Sequence, residues 1–160
     1  MRQPFIAAGI AVSLCTTLAL AAGGGGAREA NDVDPYVDPV VKSARALIAK
    51  SDWLGAQDLL RKSLQSKPGN ADYHNLLAFS TRKGPNPNME LVFAEYAEAL
   101  RLDPKHKGAH EYLGEAYLQV NDLAKAKEQL AALDKICRFG CEEYSDLKKL
   151  IAQYQASHPQ

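Results

Sequence analysis

Apolar residues recur along this chain from Pro39 onward at the three-and-four spacing of a helix face, with no convincing strand-like alternation. Val40, Val41, Ala44, Leu47 and Ile48 share one such face. Ala56, Leu59, Leu60, Ser63 and Leu64 mark a second. A third helix is predicted over 72–82, carrying Leu76, Leu77 and Phe79, and a fourth over 90–102, carrying Leu91, Val92, Phe93, Tyr96, Ala99 and Leu100. The spacing continues over 108–120 and 123–137. A last amphipathic helix over 142–155 has Tyr144, Leu147, Leu150, Ile151 and Tyr154 on one side. Turn chemistry separates these segments: Asp52-Trp53-Leu54-Gly55, Lys67-Pro68-Gly69-Asn70, Gly84-Pro85-Asn86-Pro87-Asn88, Asp103-Pro104 and Asn121-Asp122. Regular structure should begin near Asp38-Pro39, because aspartate caps a helix and proline is tolerated in its first turn.

The start of the chain is different. Met1-Arg2 is basic, residues 5–22 are apolar apart from Ser13, Thr16 and Thr17, and the run ends in Ala19-Leu20-Ala21-Ala22. That order is the pattern of a secretory signal peptide over 1–22, cleaved after Ala21 or Ala22. The stretch is also close to the roughly 20 residues that span a bilayer, so a retained anchor is the alternative. Against it stand the small residues at the end and the lack of a following basic cluster. Lipidation at Cys15 is disfavoured, since Leu14 precedes it where a small residue belongs and the cysteine lies inside the apolar run. Residues 23–36 read as a leader: Gly23-Gly24-Gly25-Gly26 is a flexible spacer, and an acidic, Pro35-containing segment follows.

The whole chain carries 19 basic and 19 acidic residues. Arg2 is the only charged residue of 1–22, so cleavage leaves a formal charge of −1. Such balance gives no electrostatic case for nucleic acid, which needs a basic face to neutralise phosphates. Two cysteines, Cys137 and Cys141, remain in a chain expected to mature in an oxidising compartment.

The helical pattern repeats. Pro68 and Pro104 each follow an apolar helix and lie 36 residues apart, and Leu76-Leu77-Ala78 stands in the same relation to Tyr112-Leu113-Gly114. In 107–140, Leu113-Gly114 is followed by Tyr117, then Ala126 and Leu130. With these features the chain resembles the tetratricopeptide repeat, a helix–turn–helix unit of about 34 residues. Ala44, Ala56, Leu60 and Pro68 fill the matching places of a copy over 37–70, and Leu77, Ala78, Tyr96, Ala99 and Pro104 those of a copy over 71–106. The second copy is two residues longer, with the excess at Gly84-Pro85-Asn86-Pro87-Asn88. Thr81 takes its tyrosine place, and the third copy has Arg138 where proline usually sits. The resemblance implies an all-α fold, a right-handed α-α superhelix of about three hairpins over 37–155, closed by a C-terminal capping helix at 142–155. Small residues at Ala44, Ala78 and Gly114 are expected to let the two helices of each hairpin approach closely.

In that family the first helix of each unit lines a concave groove that receives a peptide or a partner's helix. The resemblance places Val41, Arg45, Ile48, Asn75, Phe79, Arg82, Glu111, Glu115 and Leu118 there, a mix suited to a peptide of mixed polarity. Arg45 and Arg82 can fork onto a carboxylate, or simply be solvated. Phe79 can anchor a ligand, or pack on the next repeat. Arg45, Asn75 and Arg82 match only part of the carboxylate clamp of chaperone adaptors. Trp53 is expected to cover the end of the first hairpin.

Gly140 suits the left-handed backbone that ends a helix, and such a break brings Cys137 and Cys141 together, so a disulfide is expected. A redox site fits less well: three residues separate the cysteines, and no strand precedes them. Two cysteines are also an incomplete zinc site. His106 and His110 have the spacing of a metal pair, but His74 stands 36 residues before His110, so a repeated structural position explains them better. No nucleophile–base signature, phosphate-binding glycine loop or metalloprotease motif is present, so neither enzymatic activity nor a cofactor is expected. The expected function is a periplasmic or secreted module that binds a protein or peptide. The alternatives are a thiol- or metal-handling envelope protein acting through Cys137 and Cys141, and a scaffold that binds through its convex face.

Overall fold

The computed structural model describes residues 38–158. The expected signal (1–22) and leader (23–36) lie outside the described residues. Within 38–158 the chain forms seven helices and no strand: α1 (Pro39–Ala49), α2 (Trp53–Ser66), α3 (Ala71–Lys83), α4 (Met89–Leu102), α5 (Lys107–Gln119), α6 (Leu123–Ile136) and α7 (Glu142–Ser157). They make three consecutive hairpins, α1–α2, α3–α4 and α5–α6, followed by a single closing helix.

Local chemistry sets the helix starts. Asp52, Asn70, Asn88, His106 and Asp122 each accept a hydrogen bond from the backbone N–H three residues on, and Asp38 accepts from that of Val40. Pro39 occupies the first turn of α1, as expected. One boundary differs from the sequence reading. Trp53-Leu54-Gly55 belongs to the first turn of α2, not to the connection, because Asp52 caps Gly55 N–H at 3.0 Å. The turn itself is residues 50–52, with Ser51 at φ 60°. The third hairpin turns the same way over 120–122, with Asn121 at φ 62°. The second hairpin instead uses the five residues 84–88, which is where its extra length sits.

Burial follows the stacking of units. Val41, Ala44, Leu60, Tyr73, Leu76 and Leu77 form one core cluster, contributed by α1, α2 and α3. Ala78, Val92, Tyr96, Leu113 and Ala116 form the next, from α3, α4 and α5. Ala126, Leu133, Leu147 and Ile151 join α6 to α7. Each hairpin core is thus completed by the first helix of the element that follows. A repeat unit cannot bury its apolar face alone, and α7 does for the third hairpin what α3 and α5 do for the first two. Polar ties reinforce the steps. Gln57 Nε2 donates to Ser80 O at 3.1 Å in a buried α2–α3 link, and the buried Tyr73 hydroxyl donates to the α1 cap Asp38 at 2.8 Å.

Gly114 has a role beyond the expected one. A Cβ there would lie 2.6 Å from Leu147 Cδ2 and 2.8 Å from Leu147 Cδ1. The glycine therefore makes room for α7. Leu147 is fully buried and cannot step aside cheaply. The joint ahead of α7 is covalently closed. Cys137 ends α6, Cys141 precedes α7, and the two are disulfide-bonded with Cα atoms 5.6 Å apart. Gly140 sits between them at φ 86°, the left-handed conformation that favours glycine. Phe139, at the tip of this loop, is fully exposed.

Opposing magnitudes make the Gly114–Leu147 contact testable. Gly→Ala within a helix ordinarily gains about 1 kcal/mol, whereas forcing a methyl into a packed contact costs about 1–3 kcal/mol. Gly114→Ala alone should therefore fail to stabilise the protein in urea unfolding. Leu147→Ala should cost about 2–5 kcal/mol. Added to Leu147→Ala, Gly114→Ala should recover about 1 kcal/mol. If Gly114→Ala stabilises equally in both backgrounds, the contact is not the constraint on position 114.

Candidate functional site: a concave groove on α1, α3, α5 and α7

The first helices of the three hairpins and α7 line a hollow of about 710 Å³. Arg45, Ile48 and Ala49 come from α1; Asp72, Asn75, Leu76 and Phe79 from α3; Gly108, Glu111 and Tyr112 from α5; Glu142, Glu143 and Asp146 from α7. The α4–α5 turn adds Asp103, Lys105 and His106, and Lys107 follows at the start of α5. No side chain of α2, α4 or α6 lines it. An outer depression of about 790 Å³ rises from α5, α6 and the turns beside them, and it includes Lys105, Glu128, Lys135 and Arg138. It draws on one hairpin alone, and its histidine, His110, is already hydrogen-bonded.

The nine residues assigned to the groove from the sequence separate into three groups. Arg45, Ile48, Asn75, Phe79 and Glu111 come together in the main hollow. Arg82, Glu115 and Leu118 line a second, smaller hollow of about 320 Å³, whose far wall is Leu150, Gln153 and Tyr154 of α7. Val41 lines neither; it is 3% exposed and packed in the first core cluster, so it cannot touch a ligand. Arg82 is not available to fork onto a ligand carboxylate. It is buried, and its guanidinium donates to Glu115 at 2.6 Å, tying α3 to α5. Phe79 packs on the next repeat, with its ring centroid 4.6 Å from that of Tyr112, and the half-buried pair also forms part of the groove wall. Trp53, half-buried, lies 6.3 Å from Phe79 at the end of the first hairpin.

The histidines do repeat a structural role. His74 Nδ1 lies 2.6 Å from Glu95 Oε2, and its Nε2 lies 2.9 Å from Pro68 O. His110, 36 residues on, has Nδ1 2.8 Å from Gln129 Oε1 and Nε2 3.1 Å from Pro104 O. Each ring pins the preceding proline turn to the second helix of its own hairpin. His106 caps α5 through Ala109 N–H at 3.1 Å and reaches Asp72 at 3.2 Å. Among the described residues no three His, Cys, Asp or Glu side chains converge as a metal set would.

The sequence reading missed the contribution of α7. Glu142, Glu143 and Asp146 bring carboxylates against Glu111 of α5. Burial, reinforced by Glu115, Asp146, Glu143 and Glu142, pushes the Glu111 carboxyl up to about 8. The available signal was the amphipathic pattern of 142–155. It marks a helix that behaves as the first helix of a further unit, not only as a solvating cap.

Glu111 therefore links stability to pH, and the sign follows from proton counting. Between about pH 4.5 and pH 8 the folded chain holds a proton on Glu111 that the unfolded chain has released, so stability falls as pH rises through this window. Glu111→Gln should remove that slope. Urea titrations across the window should show the variant gaining on the parent chain as pH rises, and a constant difference between the two would contradict the assignment.

No protein-family profile and no curated protein sequence matches the chain. Solved structures do. The Yersinia enterocolitica type III secretion translocator chaperone SycD superposes with a TM-score of 0.65 at 12% identity, over 76% of this chain and 84% of that one. The first TPR domain of human RPAP3 gives 0.61 at 19% identity, over 74% of this chain and 91% of that domain. The first TPR of Spaghetti (RPAP3) bound to the HSP90 peptide SRMEEVD gives 0.60 at 18%, over 73% and 93%. At such identities the likeness is one of fold. Seven helices stacked as hairpins, with cores that each need the next helix, have the tetratricopeptide-repeat fold.

Proposed function

We propose that this chain is an exported interaction module that holds a peptide or protein segment in the groove of α1, α3, α5 and α7. One observation carries the binding role. Four alternate helices build a single concave surface in which apolar side chains (Ile48, Leu76, Phe79, Tyr112) mix with polar ones (Asn75, Glu111). That mix suits an extended segment with side chains of both kinds. A neighbour of the same fold is bound to the peptide SRMEEVD, which lends support by likeness of fold. A binding role is favoured over catalysis because the groove histidine, His106, is already engaged as a helix cap and by Asp72. The alternative of thiol chemistry is disfavoured, since Cys137 and Cys141 are bonded to each other and neither lines the groove.

Export to a periplasmic or extracellular compartment is the second part of the proposal. It rests on the signal-like pattern of 1–22 and agrees with a disulfide, which persists in oxidising compartments.

Two experiments test these parts separately. A photoreactive residue placed at Ile48 or Arg45 should crosslink a discrete partner in cells, while one at Lys127 on α6 should not. Adducts from Lys127 with none from the groove would move the binding surface to the outer face. Mass spectrometry of the protein from its own cells should find a chain starting at Ala22 or Gly23 with Cys137 and Cys141 oxidised. A chain retaining Met1 with free thiols would overturn export.

A further inference from the structure

The groove has a charge that its fold does not explain. Six of its side chains carry carboxyl groups (Asp72, Asp103, Glu111, Glu142, Glu143, Asp146), against three permanent cations, Arg45, Lys105 and Lys107. Among the described residues, Glu111, Glu142, Glu143 and Asp146 enter no ion pair. Acids in the first turn of α7 complement its dipole, and that accounts for Glu142 and Glu143. It does not account for Glu111, which lies inside α5, is half-buried and faces the other carboxylates. Lys107, one turn earlier on α5, makes no ion pair with it. Buried beside several others, this carboxyl keeps its proton, and an arriving cation would let it ionise.

Asn75 is an independent sign of an occupant. It lines the same hollow, is 3% exposed, and its buried Oδ1 has no hydrogen-bond partner. Buried amides in folded proteins are normally satisfied. Its Nδ2 stands 3.5 Å from where a Cβ on Gly108 would be, so the amide lies against α5 at this point. Gly108 and Glu111 are three residues apart on α5 and share a face. The free amide and the unpaired carboxyl thus occupy one stretch of wall, about one helical turn apart.

We propose that the α5–α7 end of the groove receives a lysine- or arginine-bearing peptide segment, its cation seated among Glu111, Glu143 and Asp146 and its neighbouring backbone amide donating to Asn75 Oδ1 as that side chain turns toward the groove. This rests on the groove-binding role proposed above and adds the sign of the partner. A bare metal ion is a poorer occupant, because no three of these groups converge closely enough to ligate one. An acidic tail such as that of SRMEEVD would meet like charge at this end, and Arg82, the buried cation nearby, is already held by Glu115.

Selection of short random peptides on the full-length protein, followed by fluorescence anisotropy, tests this. Selected peptides should be enriched in lysine and arginine. Their affinity should fall steeply with salt, and by about tenfold or more in Glu111→Gln/Asp146→Asn, as expected for losing charge-assisted contacts. The double variant removes repulsion and should unfold at higher urea than the parent, which separates lost binding from lost folding. Asn75→Leu, which keeps the size of the side chain, should weaken basic and neutral peptides alike. Peptides that bind the parent chain, lose affinity for Phe79→Ala, and show no basic enrichment would overturn the charge assignment while leaving the groove as a peptide site. If no peptide is enriched over an empty support, both proposals fall.

Discussion

Everything else in this fold depends on a packing debt passed along the chain. No hairpin closes its own core. The side chains of α1 and α2 are completed by Tyr73, Leu76 and Leu77 of α3, and those of α3 and α4 by Leu113 and Ala116 of α5. The debt ends at α7, where Leu147 and Ile151 cover Ala126 and Leu133. A hydrophobic face left open at any step would expose apolar area worth about 25 cal/mol per Å². The array is stable only as a stack, and its last contact, Leu147 lying where a Cβ on Gly114 would be, is as necessary as its first.

The same stacking creates the groove. Because each first helix sits between its own partner and the previous unit, its remaining face lines a shared concavity, and α7 joins that row by packing as they do. Closing the core and furnishing the acidic end of the groove are therefore tasks of one helix. The disulfide at its start, between Cys137 and Cys141, limits how α7 can pivot away from α5. By the chain-entropy estimate a loop this short contributes roughly 2 kcal/mol. It closes the chain directly before the first turn of α7, whose Glu142 and Glu143 line the same hollow as Glu111.

Much of this was legible in the residues. Apolar spacing located all seven helices, and the matched positions of Pro68 and Pro104 and of Leu76-Leu77-Ala78 and Tyr112-Leu113-Gly114 exposed the repeat. Periodicity identifies a buried face but not its neighbour. Gly114 reads as a place of close approach, but the sequence does not show that Leu147 of α7, 33 residues on, is what comes nearest. Val41 as a groove residue, and Arg82 as a free cation for a ligand, failed for a related reason. A helix has a core side and a groove side that merge along their borders, and only packing reveals that Val41 fell inward and that Arg82 was claimed by Glu115. The acidic wall was illegible because Glu111 and Asp146 are far apart in sequence and acquire their meaning only when α7 docks.

The most direct measurement is a backbone-amide NMR titration of the folded protein with a short lysine-containing peptide. The amides that shift should fall on the concave helices, at Ile48, Asn75, Phe79, Gly108, Glu111 and Asp146, while those of α2, α4 and α6 stay in place. Shifts gathered on α2, α4 and α6, with the groove amides unmoved, would contradict a concave binding site.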